Sequence, residues 1–178
     1  MAFSDPAANL KHCQLSEGLV VADFGAGSGA YALALARVVG SSGRVYAIDV
    51  QKELLARLKR EIQSGQARGP SNIEVIWGDL ERAGGSKLKD RSVDFVLLAN
   101  ILFQVNAKYS LILEAKRILK PDGRLAVIDW QDSYGNLGPT AAAVVSPAEA
   151  KRILAEGGFK LIKEFSAGDH HYGLLFSL

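Results

Sequence analysis

Short β-branched runs alternate along this chain with longer stretches whose apolar positions recur at helical spacing. Residues 19–24 form a short, β-branched run followed by glycines, which predicts a buried strand. Residues 28–39 are rich in alanine and leucine, carry Arg37 in the last turn and stop at Gly40, as a helix does. Residues 44–49 predict a second strand. Residues 51–64 then set Leu54, Leu55, Leu58 and Ile62 on one helical face, with Glu53, Arg57 and Glu61 spaced i,i+4 on the other. Residues 72–77 and 92–99 predict the third and fourth strands. A helix over 107–119 is halted by Lys120-Pro121-Asp122-Gly123, and 124–129 predict a fifth strand. Ser146-Pro147-Ala148-Glu149 supplies a capping serine, a proline at the first helical position and a glutamate at the third, and Gly157-Gly158 ends that helix. Residues 159–166 and 171–177, joined across 167–170, read as an antiparallel hairpin.

Strands that are apolar on both faces and alternate with helices imply an α/β fold, a parallel sheet covered on both sides. Right-handed crossovers make it doubly wound, and ligands then bind outside the carboxyl ends of the strands. With 178 residues, 48% hydrophobic and 22% charged, disordered and low-complexity classes are excluded. A single domain over 1–178 is expected, with 1–18 as a short N-terminal arm or lid in which Phe3, Pro6, Leu10 and Leu15 supply the apolar groups. Twenty-one Lys and Arg against 19 Asp and Glu give a formal charge of +2, so no broad basic face for nucleic acid is expected. The start of the chain has no secretory pattern, and no apolar run is long enough for membrane insertion, which suits a cytoplasmic protein.

Candidate chemistry begins at Asp23-Phe24-Gly25-Ala26-Gly27-Ser28-Gly29, between the first strand and first helix. Glycine there lets a ligand approach the main chain and permits positive φ; a turn that merely packs closely is the alternative. Asp49 at the second strand's tip is placed to accept from both hydroxyls of a ribose. Gly25, Gly27 and Ala30 satisfy the loose dinucleotide fingerprint, so NAD(P) stays open. Against it, Asp23 beside a pyrophosphate would be repelled, whereas a carboxylate suits an ammonium and a sulfonium. Asp79, in Gly78-Asp79-Leu80 after the third strand, either accepts from the exocyclic amine of adenine or is simply ion-paired at the surface.

These segments, with Val93-Asp94-Phe95-Val96, the Arg117–Leu125 stretch and the closing hairpin, resemble the class I S-adenosylmethionine-dependent methyltransferases. The similarity is to the type-11 branch, which includes ubiquinone and menaquinone biosynthesis methyltransferases, and it runs from about Leu19 to Leu178. The resemblance implies a Rossmann-like three-layer sandwich around a seven-stranded sheet in the order 3-2-1-4-5-7-6, with strand seven antiparallel. It implies S-adenosylmethionine as cofactor and S-adenosylhomocysteine as product. Asp23, Phe24, Gly25, Ala26, Gly27, Ser28 and Gly29 would hold the methionine part and Asp49 the ribose. Val50, Gly78 and Leu80 would flank adenine, and Asp79 would meet its amine. Ala26 replaces the cysteine common in this loop, a harmless change if the loop acts through its backbone.

On the acceptor side, the resemblance places Asn100, at the end of the fourth strand, against the methionine ammonium and the incoming acceptor. Asn100-Ile101-Leu102-Phe103 lacks both prolines of the motif used on exocyclic amines. Pyrimidine-C5 and arsenite methylation need thiolates that the lone Cys13 does not supply. Asn100, Asp129 and His171 are the candidate catalytic groups, and Phe103, Trp130, Tyr134 and His171 the candidate acceptor-lining ones. The long, nearly uncharged stretch after Trp130 reads as a lid or an ordinary surface loop. His170 and His171 point to opposite faces of an extended strand, and no metal is expected. The reading is therefore a methyltransferase acting on a small molecule, with a pocket that is either shallow and open or completed by a second subunit in a homodimer. Its alternatives are a methyltransferase of protein or RNA, an NAD(P)- or other nucleoside-binding module, and a non-catalytic S-adenosylmethionine sensor.

Overall fold

The structure is a computed structural model that describes residues 4–64, 71–135 and 137–178; Phe3 lies outside the described residues. Seven strands form one sheet in the order β3-β2-β1-β4-β5-β7-β6. They are β1 (Val20–Phe24), β2 (Arg44–Asp49), β3 (Ile73–Trp77), β4 (Val93–Ala99), β5 (Leu119–Trp130), β6 (Lys160–Ser166) and β7 (His171–Ser177). Strands β1 to β5 pair in parallel, and β7 runs antiparallel between β5 and β6. This is the order and sense expected from the sequence.

Alternation along the strands divides the core into two layers. Val21, Val45, Ala47, Leu97 and Ile128 face α1 (Pro6–Leu10), α2 (Ala30–Val39) and α3 (Lys52–Gln63). Ala22, Phe24, Ile48, Leu98 and Val127 face α4 (Lys108–Ile118) and α5 (Pro147–Glu156). Helices on both faces leave β4 buried along nearly its whole length, which explains its unbroken apolar run. Among the described residues no helix is long and apolar enough to cross a membrane.

Element ends depart from the sequence expectation in two instructive places. Helix α2 starts at Ala30 rather than Ser28, because Gly29 takes a φ of 95° and ends the glycine loop as its cap. Strand β5 begins at Leu119, which pairs with Val93, before the register jumps to Phe95 opposite Arg124. The Lys120-Pro121-Asp122-Gly123 stop signal therefore forms an irregularity inside the ladder, tied down by Lys120 Nζ on Asp94 at 2.7 Å. At the start of the chain, Asp5 caps α1 by accepting from the Ala7 amide, and a 3₁₀ turn over Lys11–Cys13 follows.

The β3–β4 crossover contains no helix among the described residues, and polar groups organise it instead. Buried Glu114 of α4 accepts from the Gly84 amide at 2.9 Å, the Ser86 amide at 3.0 Å and the Ser86 hydroxyl at 2.5 Å. Arg117 donates to the same carboxylate at 2.9 and 2.7 Å and also to the Leu88 carbonyl at 2.9 Å. Burial opposes ionisation of Glu114, but these donors overcome it and hold the carboxyl down at about 2. Replacing Glu114 by Ala strands two amides and takes two hydrogen bonds from Arg117, so urea denaturation should show a loss of about 3 kcal/mol. A loss within about 0.5 kcal/mol, the range of ordinary surface changes, would contradict this account of the crossover.

Candidate cofactor and acceptor site

Where strand order reverses, between β1 and β4, the carboxyl edge of the sheet opens into two adjoining cavities. The first, of about 380 Å³, is lined by Gly25, Gly27, Asp49, Val50 and the 78–81 segment. The second, of about 350 Å³, is lined by Asp23, the 25–28 loop, Tyr31 and Asn100, with Ser4 and Pro6 of the N-terminal arm. Gly25, Gly27 and Gln104 border both.

The three glycines of the loop have different reasons to be glycine. All have positive φ, at 77°, 55° and 95° for Gly25, Gly27 and Gly29. A Cβ on Gly25 would lie 2.6 Å from Ile101 Cδ1, and one on Gly29 would lie 2.2 Å from Leu58 Cδ1. Those two are fixed by packing. At Gly27 the nearest atom would be 4.0 Å away, so its bare face looks into the cavities. The loop is held by the Gly25 and Ala26 amides on the Ile48 carbonyl, and by the Gly27 amide on Asp49 Oδ2 at 2.8 Å. Asp49 Oδ1 accepts from the Gln51 amide at 2.8 Å, so this carboxylate is fixed at the rim before any ligand arrives.

Asp23 is different. It is 1% exposed, and neither carboxylate oxygen has a hydrogen-bond partner. Burial first, then the charge of Asp49, push its carboxyl up to about 7 against a small offset from the Ala32 amide. Asn100, with a φ of 53°, also carries a buried Oδ1 without a partner. Three unsatisfied oxygens on two residues of one cavity suit a ligand rich in donors and positive charge.

Other expected cofactor residues divide. Val50 is exposed and Leu80 buried on the walls of the first cavity, with Gly78 and Asp79 beside them. Asp79 is paired with Arg82 at 2.9 Å and accepts from the Glu81 amide. Ala26 and Ser28 border the second cavity, whereas the Phe24 ring is packed in the core on the α4–α5 face and leaves only its backbone near the loop.

Of the expected acceptor residues only Asn100 lines a cavity; the others do not. Asp129 is 1% exposed and points to the α4–α5 face. Its oxygens accept from the Leu102 amide at 2.9 Å and the Trp130 amide at 2.8 Å. Its carboxyl is pushed up to about 7, by burial against those donors. It holds the turn after β4 rather than facing a ligand. Trp130 and buried His171 lie on the opposite face with ring centroids 4.3 Å apart, and Tyr134 stacks on His170 at 4.1 Å. His170 Nδ1 meets Asp132 at 2.8 Å, and Gly138 lies against the Trp130 ring. The loop after β5 thus folds onto the start of β7, and neither it nor Phe103 borders the cavities.

Sequence reasoning missed several lining groups. Ile101, Gln104 and Val105 follow Asn100 on the turn after β4, a position already marked by topology, but no motif names them. Tyr31 and Ser4 were also missed. Their hydroxyls meet at 2.9 Å, and buried Asn9 donates to Tyr31 at 2.9 Å and to the Ala167 carbonyl at 3.1 Å, which fastens the arm over the second cavity. Among the described residues no group of three His, Cys, Asp or Glu side chains is arranged to hold a metal.

This sheet order, with a glycine loop at the switch point and an acid at the tip of β2, defines a Rossmann-like S-adenosylmethionine-dependent methyltransferase. The chain belongs to the methyltransferase domain family, whose model matches residues 15–168. It is similar to the structure of an S-adenosylmethionine-dependent methyltransferase from Aquifex aeolicus, with a TM-score of 0.88 and 32% identity over 98% of this chain and 89% of that one. An arsenite methyltransferase of Aquipseudomonas alcaligenes is 35% identical over 117 residues, 65% of this chain and 34% of that protein. A demethylmenaquinone methyltransferase of Lactobacillus johnsonii is 25% identical over 92% of this chain and 79% of that protein. The chain thus spans about a third of the arsenite enzyme's length and most of the menaquinone enzyme's.

The carboxyls give a pH signature. Asp23 and Asp129 have folded values above their ordinary one, so their contribution is fully present below about pH 4 and is lost as pH rises towards 7. Glu114 has a lowered value, so its contribution is present above about 4.5 and is lost as pH falls towards 2. Scanning calorimetry of the ligand-free protein should place the highest Tm near pH 4–5. Asp23→Asn should flatten the decline above that. A Tm that climbs steadily from pH 5 to 8 would contradict the assignment.

Proposed function

We propose that the chain transfers the methyl group of S-adenosylmethionine to a small-molecule acceptor, with the adenosine end of the cofactor in the first cavity and its methionine end in the second. The observation that carries this reading is the buried, unpartnered Asp23 carboxylate beside Asn100 Oδ1. Both are acceptors, and the α-ammonium of the cofactor supplies donors and a positive charge. A pyrophosphate in the same place would meet an uncompensated carboxylate, which disfavours a nicotinamide dinucleotide. Asp49 receives the ribose hydroxyls while already braced by two amides. Val50 and Leu80 flank adenine, and Asp79 accepts from its 6-amino group once released from Arg82.

When bound, the cofactor presents a methyl carbon on a sulfonium, open to in-line displacement by a nucleophile. The chain's part is alignment and exclusion of water. Ser4, Pro6, Tyr31 and Gln104 frame the remaining space of the second cavity. Burial raises the Tyr31 phenol above its ordinary value, so it stays protonated. Asp23 is then the carboxylate of this cavity and is committed to the ammonium. The acceptor accordingly arrives as a nucleophile in its own right, such as an enolate-like carbon, a phenolate or a thiolate. The similarity to a demethylmenaquinone methyltransferase supports a small acceptor of this kind. An acceptor held by protein thiolates fits poorly, because Cys13 is buried and its thiol is pushed up to about 12.

Methyl-labelled S-adenosylmethionine offered with phenols, quinols, thiols and amines should place label in the small-molecule fraction. Label appearing only in protein or RNA from an added extract would overturn the acceptor class. The cofactor half is tested by calorimetry with S-adenosylhomocysteine. Protonating Asp23 competes with the ammonium, so affinity should fall about tenfold between pH 8 and pH 6. In Asp23→Asn that pH dependence should vanish. Gly27→Val fills the open face of the loop and should abolish binding while the chain remains folded. Retained binding in Gly27→Val would place the ligand elsewhere.

A further inference from the structure

We propose that Glu114, a buried carboxylate of α4 that borders neither cavity, is a positioning residue for recognition of the adenine 6-amino group by Asp79. The inference rests on the placement of adenine beside Asp79 given above.

The connection between the two acids is a short series of contacts with little slack. Glu114 holds the amides of Gly84 and Ser86, on either side of Gly85. Gly85 in turn lies against the segment that carries Asp79. A Cβ built on Gly85 would fall 1.7 Å from the Asp79 carbonyl oxygen, and one built on Gly78 would fall 2.2 Å from the Gly85 carbonyl oxygen. Two backbones this close admit no side chain between them, so a shift of one is transmitted to the other. The turn is closed by the Arg82 amide on the Asp79 carbonyl at 3.2 Å and the Gly85 amide on the Arg82 carbonyl at 2.9 Å.

The same segment is held from the other end of α4. Glu81 Oε2 accepts from the Asn106 amide at 2.9 Å and the Ala107 amide at 2.5 Å, at the start of that helix. The helix has no capping side chain of its own, so Glu81 serves it from the cofactor side. Helix α4 therefore clamps the 78–86 segment at two points, at Glu81, two residues after Asp79, and at Gly84 and Ser86, on either side of the Gly85 that packs on the Asp79 carbonyl. With no helix in this crossover to fix Asp79, the polar clamp does so. Removing the Glu114 clamp loosens the turn that carries Asp79, so a carboxylate already paired with Arg82 at 2.9 Å is no longer set to turn to the adenine amine.

The test compares two ligands that differ at one position, S-adenosylhomocysteine and S-inosylhomocysteine, whose 6-oxo group offers Asp79 no amine. Their affinities are measured by calorimetry for wild type, Glu114→Gln, Asp79→Ala and the double variant. Wild type should prefer the adenosyl ligand by about tenfold or more, the effect of one charge-assisted hydrogen bond. Glu114→Gln should shrink that ratio to about threefold or less while leaving the affinity for the inosyl ligand unchanged, and should do nothing further in the Asp79→Ala background. If Glu114→Gln does not fold, Ser86→Ala, which removes the hydroxyl bond to Glu114 at 2.5 Å, takes its place with the same expected loss of preference. Equal weakening of both ligands, or an undiminished effect of Glu114→Gln in the Asp79→Ala background, would reduce Glu114 to a purely structural role and overturn the proposal. An Asp79→Ala variant that keeps the wild-type preference would instead overturn the placement of adenine at Asp79, and the proposal with it.

Discussion

A carboxylate buried in the core edge without a hydrogen bond to either oxygen is the constraint from which this site follows. Asp23 points to the α1–α3 face, where Val21 of the same strand is core, and burial together with Asp49 makes its ionised form costly. The fold tolerates this because the charge lies at the carboxyl edge of the sheet, beside a cavity rather than sealed inside. An isolated group of this kind costs about 2–4 kcal/mol near neutral pH, a penalty that a cationic ligand removes on binding. Ligand-free instability and ligand affinity are two readings of the same unpaired charge.

Around that anchor, each surrounding part limits what the ligand can be. The glycine loop gives it a bare main chain at Gly27, while packing against Ile101 and Leu58 fixes the flanking glycines. Asp49 is braced by backbone amides, so a ribose meets a pre-oriented acceptor. The far wall, 78–81, belongs to a crossover organised by two carboxylates, its own Glu81 on the amides at the start of α4 and Glu114 of α4 on the Gly84 and Ser86 amides. Asp129, at the end of β5, plays the matching part for the turn after β4 by binding the Leu102 amide. Asp23 and Asp49, which await a ligand, are thus set apart from Glu81, Glu114 and Asp129, which hold the backbone the ligand meets.

Much of this was legible in the sequence. Strand β2 begins and ends where its apolar pattern does, and the α5 cap at Ser146 was readable from its motif. The glycine loop and Asp49 were marked by position alone, since topology puts strand tips together. What the sequence did not disclose was which way a side chain faces. Asp129 and Trp130 are neighbours on one strand and so point to opposite faces, one to α4 and α5 and the other to His171. Asp129 and Trp130 looked alike as candidates at the end of β5, and only the register of β5 against β4 and β7 separates them. Tyr31, Ser4 and Asn9 were invisible for a related reason, because their hydrogen bonds join segments far apart in the chain. The long stretch after Trp130, readable either as a lid or as an ordinary loop, packs against the start of β7 through Tyr134 and His170.

The central claim is that Asp23 binds the α-ammonium of the cofactor, and one ligand pair tests it directly. Calorimetry at pH 8 compares S-adenosylhomocysteine with its desamino analogue, which keeps adenosine, sulfur and carboxylate but lacks the amine. The account predicts that the analogue binds at least about a hundredfold more weakly, the scale of a lost buried charge pair, and that its affinity does not fall between pH 8 and pH 6. Equal affinity for the two ligands would mean that Asp23 does not meet the ammonium, and the account of this site would be wrong.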